Sequence, residues 1–234
     1  MKKFLAIILT LGLVMSSSAV SVFAANDEST EMELSYTPKA PSNYYSDVDA
    51  LLLHGDGEED AITVYSTIIV NVSSPCDEEW RAKYPDTWMY EANRAIEDAD
   101  ELMRSEFNID LRSVSQKYWD SNDNASIYEA DLLHEAWNEW GTSGADLMIA
   151  FTGQTSNWGG WGYVLGSGSL IYDQGYEANC CVVRHETGHN YGCDDHYDDS
   201  TPYPYDCVMN DSYNQYDDLC STCYSTWYAN RNIH

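Results

Sequence analysis

The segment Val183–His196 reads V-R-H-E-T-G-H-N-Y-G-C-D-D-H and holds the side chains best suited to chemistry. His185 and His189 are four residues apart. On a helix they share one face and present two imidazoles to a single ion. Glu186 adjoins the first histidine at the edge of that face, poorly placed as a further ligand and well placed to hold the water that the ion polarises. Gly192 accepts the positive φ that ends a helix and turns the chain sharply. Just after that turn two residues qualify as a third ligand, Asp195 and His196. A fourth position left to water is the open coordination of a catalytic zinc. The chemistry expected is hydrolysis: zinc lowers the pKa of its water to around 7, Glu186 takes and returns the proton, and the ion stabilises the oxyanion.

Several elements must position this group. The β-branched run Ile62–Val72 predicts a strand ending at Ser73-Ser74-Pro75. Asp86 is expected to cap a long helix reaching Phe107, with Met89, Ala92, Ile96, Ala99, Met103 and Phe107 as its apolar stripe. A second strand is expected near Asp110–Trp119. Ser126 and Glu129 read as a capping box before a second helix that ends at Gly141. The all-apolar Leu147–Phe151 suits a parallel strand covered on both faces. The Gly- and Trp-rich Asn157–Gly162 leads into two expected edge strands, Tyr163–Leu165 and Leu170–Tyr172. This order describes an α/β layer structure, and the last 40 or so residues, rich in Asp, Tyr and Cys, read as irregular and held by crosslinks.

The 234 residues carry 11 Lys and Arg against 39 Asp and Glu, a net charge of −28. Such acidity excludes nucleic acid and anionic membranes as natural partners. Hydrophobic residues at 44% are too many for an acidic disordered tail and suit one sizeable domain, expected to be a monomer. Lys2 and Lys3, the apolar run Phe4–Met15 and Val22-Phe23-Ala24 read as a signal peptide cut after Ala24. The apolar run is too short to span a bilayer, and no later stretch is apolar enough to do so. The domains expected are therefore a signal peptide (1–24), a flexible leader or short pro-segment (25–58) and a catalytic domain (59–234), secreted to the extracellular space. Export would put the 7 cysteines in an oxidising place, where disulfides are the default. Residues 194–218 hold eight Asp and no Lys or Arg. They suggest possible Ca²⁺ binding and a preference for basic substrates.

The run H-E-T-G-H-N-Y-G-C-D-D-H-Y resembles the extended zinc motif of the metzincin metallopeptidases, and Cys207-Val208-Met209 resembles their Met-turn. Glu79-Trp80-Arg81, the helix to Phe107, Tyr118–Ser121 and Ala145–Gly153 follow the order of reprolysin-like catalytic domains, so the resemblance covers about residues 60–228. It implies a metzincin-like α/β fold: a twisted mixed sheet with an antiparallel edge strand, a long zinc-binding helix and an irregular Cys-rich C-terminal subdomain. It also implies a zinc-dependent endopeptidase acting on proteins or peptides through a zinc-bound water assisted by Glu186, with Met209 as a packed base beneath the metal. Metzincins usually place a third histidine where this chain has Asp195. Asp-His-Tyr after the glycine resembles snapalysin, a small secreted bacterial branch with an aspartate ligand. That implies His185, His189 and Asp195 as ligands, with His196 in reserve, and a disulfide between Cys207 and Cys220. The transition-state tyrosine of some metzincins has no counterpart, since Asp211 occupies that position. A substrate peptide is expected to add to an edge strand near Gly162–Leu165. Two other readings stand beside this one. One is a catalytically weak exported binding domain on the same scaffold. The other is an archaemetzincin-like domain in which Cys193, Cys207, Cys220 and Cys223 hold a second, structural zinc.

Overall fold

The computed structural model describes residues 66–126, 129–196, 207–210 and 218–234. The expected signal peptide, the leader and the first residues of the first strand lie outside these. Five strands form one sheet in the order β2-β1-β3-β5-β4. They are β1 (Ile68–Cys76), β2 (Ile109–Tyr118), β3 (Leu147–Thr152), β4 (Gly160–Gly162) and β5 (Gly168–Tyr172). The first four neighbours in that order run parallel and β4 alone is antiparallel, at the edge beside β5. This is a mixed α/β sheet with an antiparallel edge strand.

Alternation along β3 explains why helices lie on both faces. Leu147, Ile149 and Phe151 enter one apolar cluster, shared with α2 (Trp88–Ala99), α3 (Glu101–Phe107), α5 (Tyr176–Asn190) and α6 (Ser221–Asn230). Met148 and Ala150 point the other way, into a cluster with Leu132, Leu133 and Ala136 of α4 (Asp131–Trp140). A strand buried on both faces has no polar side to spare, as its unbroken apolar run requires. The short α1 (Glu78–Lys83) starts where β1 ends. Its cap, Asp77, accepts from Trp80 N at 2.8 Å and Gly153 N at 3.0 Å, tying the ends of β1 and β3 together.

Several boundaries differ from the sequence expectation. The helix expected from Asp86 to Phe107 is two helices that meet at Asp100, and Thr87 rather than Asp86 is its N-cap. Asp100 keeps φ −77° and ψ −3°, close to helical, so the apolar stripe continues across the break. Its carboxylate turns to β2, accepting from Leu111 N at 2.9 Å. The expected capping box does not start α4: the helix begins at Asp131, whose carboxylate accepts from Ser126 N at 3.0 Å. Tyr163–Leu165 is a turn and not a strand, with Gly166 N bonded to Tyr163 O at 3.0 Å and Leu165 at φ +55°. Leu170–Tyr172 lies in β5, inside the sheet and not at its edge. The tail holds a helix where none was expected. α6 buries only Cys223 and Trp227, too few positions to mark a stripe in the sequence.

Candidate metal centre

Helix α5 runs through the interior, and eleven of its residues from Asn179 onward are buried. Several of its buried polar side chains are held by hydrogen bonds. Arg184 Nε donates to Ala99 O at 3.1 Å, and Asn190 Nδ2 donates to Tyr163 O at 3.1 Å and Gly168 O at 3.2 Å. These bonds fix the helix against α2 and the turn after β4. Helix α5 ends at Asn190, and Gly192 follows at φ +90°. That backbone conformation is the one L side chains rarely adopt, so the tight reversal needs glycine there. Cys193 N bonds back to Gly188 O at 3.0 Å, and the chain then brings Asp195 under the helix.

There the structure brings three of the expected residues together. Asp195 Oδ1 lies 3.0 Å from His185 Nε2 and 3.3 Å from His189 Nε2. His185 Nδ1 is 2.8 Å from Val208 O, and His189 Nδ1 is 2.8 Å from Cys193 O. A carbonyl oxygen only accepts, so each Nδ1 carries the proton and each Nε2 faces the carboxylate. Two bare nitrogen lone pairs against a carboxylate oxygen repel one another. The arrangement calls for positive charge between them, either protons on the rings or one shared cation. Burial lowers the His189 pKa, but the Asp195 and Glu186 carboxylates more than reverse this and push it up to about 9. His185 moves up for the same reasons, with Asp195 as the chief raising influence against burial. Burial opposes charge on Asp195 too, yet the two histidines hold its carboxyl well below the usual range. Two imidazole nitrogens and one carboxylate oxygen, all within 4.8 Å of each other, are a donor set that fits zinc with one position open.

Glu186 is 4% exposed, and its Oε2 lies 4.0 Å from His189 Nε2. Burial raises its pKa and the two histidines partly offset that. Strand β4 covers it with glycines. A Cβ on Gly160 would stand 2.7 Å from Glu186 Oε1, and one on Gly162 would stand 3.0 Å from Oε2. Trp161 between them packs against the α4 side of the sheet. This i, i+2 pairing of glycines was visible in the sequence as Gly160-Trp161-Gly162, but only the sheet shows that both face the helix.

Met209 is fully buried beneath the centre. A Cβ on Gly188 would come within 2.4 Å of its sulfur, so glycine lets the methionine press on the helix backbone between the two histidines. Trp227 of α6 lies under the same turn, stacked on Tyr191 with centroids 5.3 Å apart. The sequence carried no sign of that support, nor of the Val208 and Cys193 carbonyls that orient the histidines. His196 is turned away from this centre: its Nε2 lies 3.0 Å from Cys223 Sγ and 3.4 Å from Cys220 Sγ. All seven cysteines are thiols in the structure, so the expected Cys207–Cys220 bridge is not formed there. Among the described aspartates of residues 194–218, only Asp195 joins a group of prospective metal ligands, and calcium gains no support. No helix among the described residues is long and apolar enough to cross a membrane.

A search of the curated proteins finds no match. Among solved structures, a chain from a chaperone–substrate complex aligns with a TM-score of 0.50 at 13% identity, covering 72% of this chain and 35% of that one. The present chain thus spans about a third of that protein's length, and the likeness is one of fold. Archaemetzincin from Methanopyrus kandleri aligns with a TM-score of 0.48 at 14% identity, over 69% of this chain and 95% of its own. A zinc-dependent peptidase from Methanocorpusculum labreanum aligns with a TM-score of 0.44 at 9% identity, over 67% and 99%. The family model for metallo-peptidase family M12 matches residues 66–229, the span that holds every element of the centre. The chain belongs to the metallo-peptidase family M12.

Proposed function

We propose that the protein is an exported zinc endopeptidase of the metzincin type, with His185, His189 and Asp195 as metal ligands and Glu186 as the general base. The observation that carries this reading is the meeting of both His Nε2 atoms on Asp195 Oδ1, with the Glu186 carboxylate beside them. Zinc, when bound, supplies the charge that polarises water and the scissile carbonyl. The chain's own groups do the rest. The Val208 and Cys193 carbonyls hold the Nδ1 protons, which keeps both Nε2 lone pairs available to the ion. Glu186 takes the proton of the attacking water on its carboxylate and returns it to the leaving amine. Its burial raises its proton affinity toward what that exchange needs. Asp195 brings a negative charge where a third histidine would bring none. The centre is then less positive and a somewhat weaker Lewis acid.

Strand β4 is the sheet edge next to Glu186, and its open side suits an extended peptide adding as a further strand. The acidity of the chain favours basic peptides. Residues 1–24 act as the export signal in this reading, and the protein works outside the cell. Casein or peptide-library digestion by wild type and Glu186→Ala, with zinc analysis of both, tests it. Wild type is expected to cleave, and the variant to keep zinc and lose about 10²–10⁴-fold in rate. If wild type binds zinc yet cleaves nothing, even after residues 25–58 are removed, the peptidase reading fails.

A further inference from the structure

A second cluster of metal-ligating atoms lies just below the first. One atom each from His196, Cys207, Cys220 and Cys223 stands within 4.8 Å of the other three. Cys207 and Cys223 are buried, and His196 and Cys220 are half-buried. His196 Nε2 is aimed at two of the sulfurs, 3.0 Å from Cys223 Sγ and 3.4 Å from Cys220 Sγ. Cys220 is the N-cap of α6, and its sulfur accepts from Cys223 N at 3.5 Å. Three sulfurs and an imidazole nitrogen gathered this closely leave their lone pairs facing one another unless a cation lies between them.

A disulfide uses these groups poorly. Any single bridge among these three cysteines leaves one thiol over, within 4.8 Å of a His196 ring nitrogen. A tetrahedral ion uses all four donors, and one nitrogen with three sulfurs is a common donor set of closed structural zinc sites. Cys193 is not among the four: its sulfur lies 3.6 Å from the Cys223 carbonyl oxygen.

We propose that His196, Cys207, Cys220 and Cys223 bind a structural zinc, and that this ion holds in place both Asp195 and the turn of Met209. The coupling follows from the chain. Asp195 precedes His196 directly, and Cys207 begins the turn whose Val208 carbonyl orients His185 and whose Met209 packs beneath it. His196 N already donates to Met209 O at 3.1 Å, so one ion would clamp both segments together and to α6. The coupling half rests on the assignment of His185, His189 and Asp195 above; the second site itself does not.

The test uses the full chain. Zinc content and zinc-edge X-ray absorption are measured on wild type, on Cys220→Ser/Cys223→Ser and on His185→Ala/His189→Ala. Wild type is expected to hold two equivalents of zinc, with a sulfur shell at about 2.3 Å. The thiol variant is expected to lose one equivalent and the sulfur shell, and its remaining zinc to bind about 10–100-fold more weakly. The histidine variant is expected to keep the sulfur-bound equivalent, which separates failure of this site from failure of the catalytic reading. Should a variant not fold, the wild-type absorption spectrum decides alone. A wild-type shell of nitrogen and oxygen only, or a non-reduced mass short by two hydrogens that maps to a bridge within the cluster, overturns the site. Unchanged zinc affinity in the thiol variant overturns the coupling.

Discussion

Gly160→Ala puts a methyl group between a backbone oxygen and the carboxylate of Glu186. The new Cβ would stand 2.6 Å from Leu170 O and 2.7 Å from Glu186 Oε1, where ordinary contact begins at 3.4 Å. The difference from 2.7 Å to 3.4 Å is about 0.7 Å. Leu170 O belongs to β5, held between β3 and β4, so the side chain yields more cheaply than the sheet. A misplacement near 1 Å of a reacting group costs about 10²-fold in rate. We therefore expect kcat to fall about 10–100-fold, or about 1.4–2.7 kcal/mol in the barrier. Zinc content should change little, because neither the histidines nor Asp195 touch this methyl, whereas the thermal midpoint should fall, because the clash with Leu170 O can be relieved only by moving the backbone of the sheet. The assay is steady-state cleavage of casein or a library-derived peptide, run with zinc analysis and thermal denaturation. The same substitution is then made in a Glu186→Gln background. If the methyl acts by moving Glu186, it should add almost nothing there. Full kcat in Gly160→Ala, or an equal further loss in the Glu186→Gln background, would refute the reasoning.

Three further outcomes follow from the geometry. Asp195→Ala should release the catalytic zinc, whereas His196→Ala should retain it with at most the about 10–100-fold weakening expected of the thiol variant; the reverse result, read by metal analysis, would move the third ligand to His196. Met209→Ala should cost about 2–5 kcal/mol of stability in denaturant unfolding, as emptied buried methionine sites do, because its sulfur fills the space over Gly188. Asp173, at the entrance to α5, makes an ion pair with Lys83 and accepts from Gly175 N and Asn179 Nδ2, each at 2.9 Å. Burial raises its pKa, but these partners outweigh burial and hold it below the ordinary 3.8. A depressed folded-state pKa adds stability above the unfolded value and loses it as pH falls through the folded one. Thermal midpoints of wild type should therefore drop below about pH 4, while Asp173→Asn is less stable at neutral pH and flatter in that acid range.

How much the chain discloses without its fold depends on the distance over which each feature is encoded. The i, i+4 histidines, the adjacent glutamate and the glycine after them are local, and helical geometry alone places the first three on neighbouring faces. The apolar run of β3 was equally readable, because burial on both sides leaves a continuous mark in the sequence. The break at Asp100 was not, since it depends on a backbone N–H of β2, eleven residues on. Helix α6 was hidden because its burial rests on two residues.

The choice between Asp195 and His196 shows the division most clearly. Both side chains are competent ligands and they are adjacent, so spacing from Gly192 left them level, and the likeness to a small bacterial branch favoured the aspartate. In the structure the reversal at Gly192 directs Asp195 to the two histidines and His196 to the sulfurs of Cys220 and Cys223. Local sequence determined which residues could bind a metal and set the rise and turn of the helix that carries two of them. Only tertiary structure decided which donors meet, because the Val208 carbonyl that orients His185 and the sulfurs that face His196 come from the chain beyond residue 206, where Met209 and Trp227 pack against the helix.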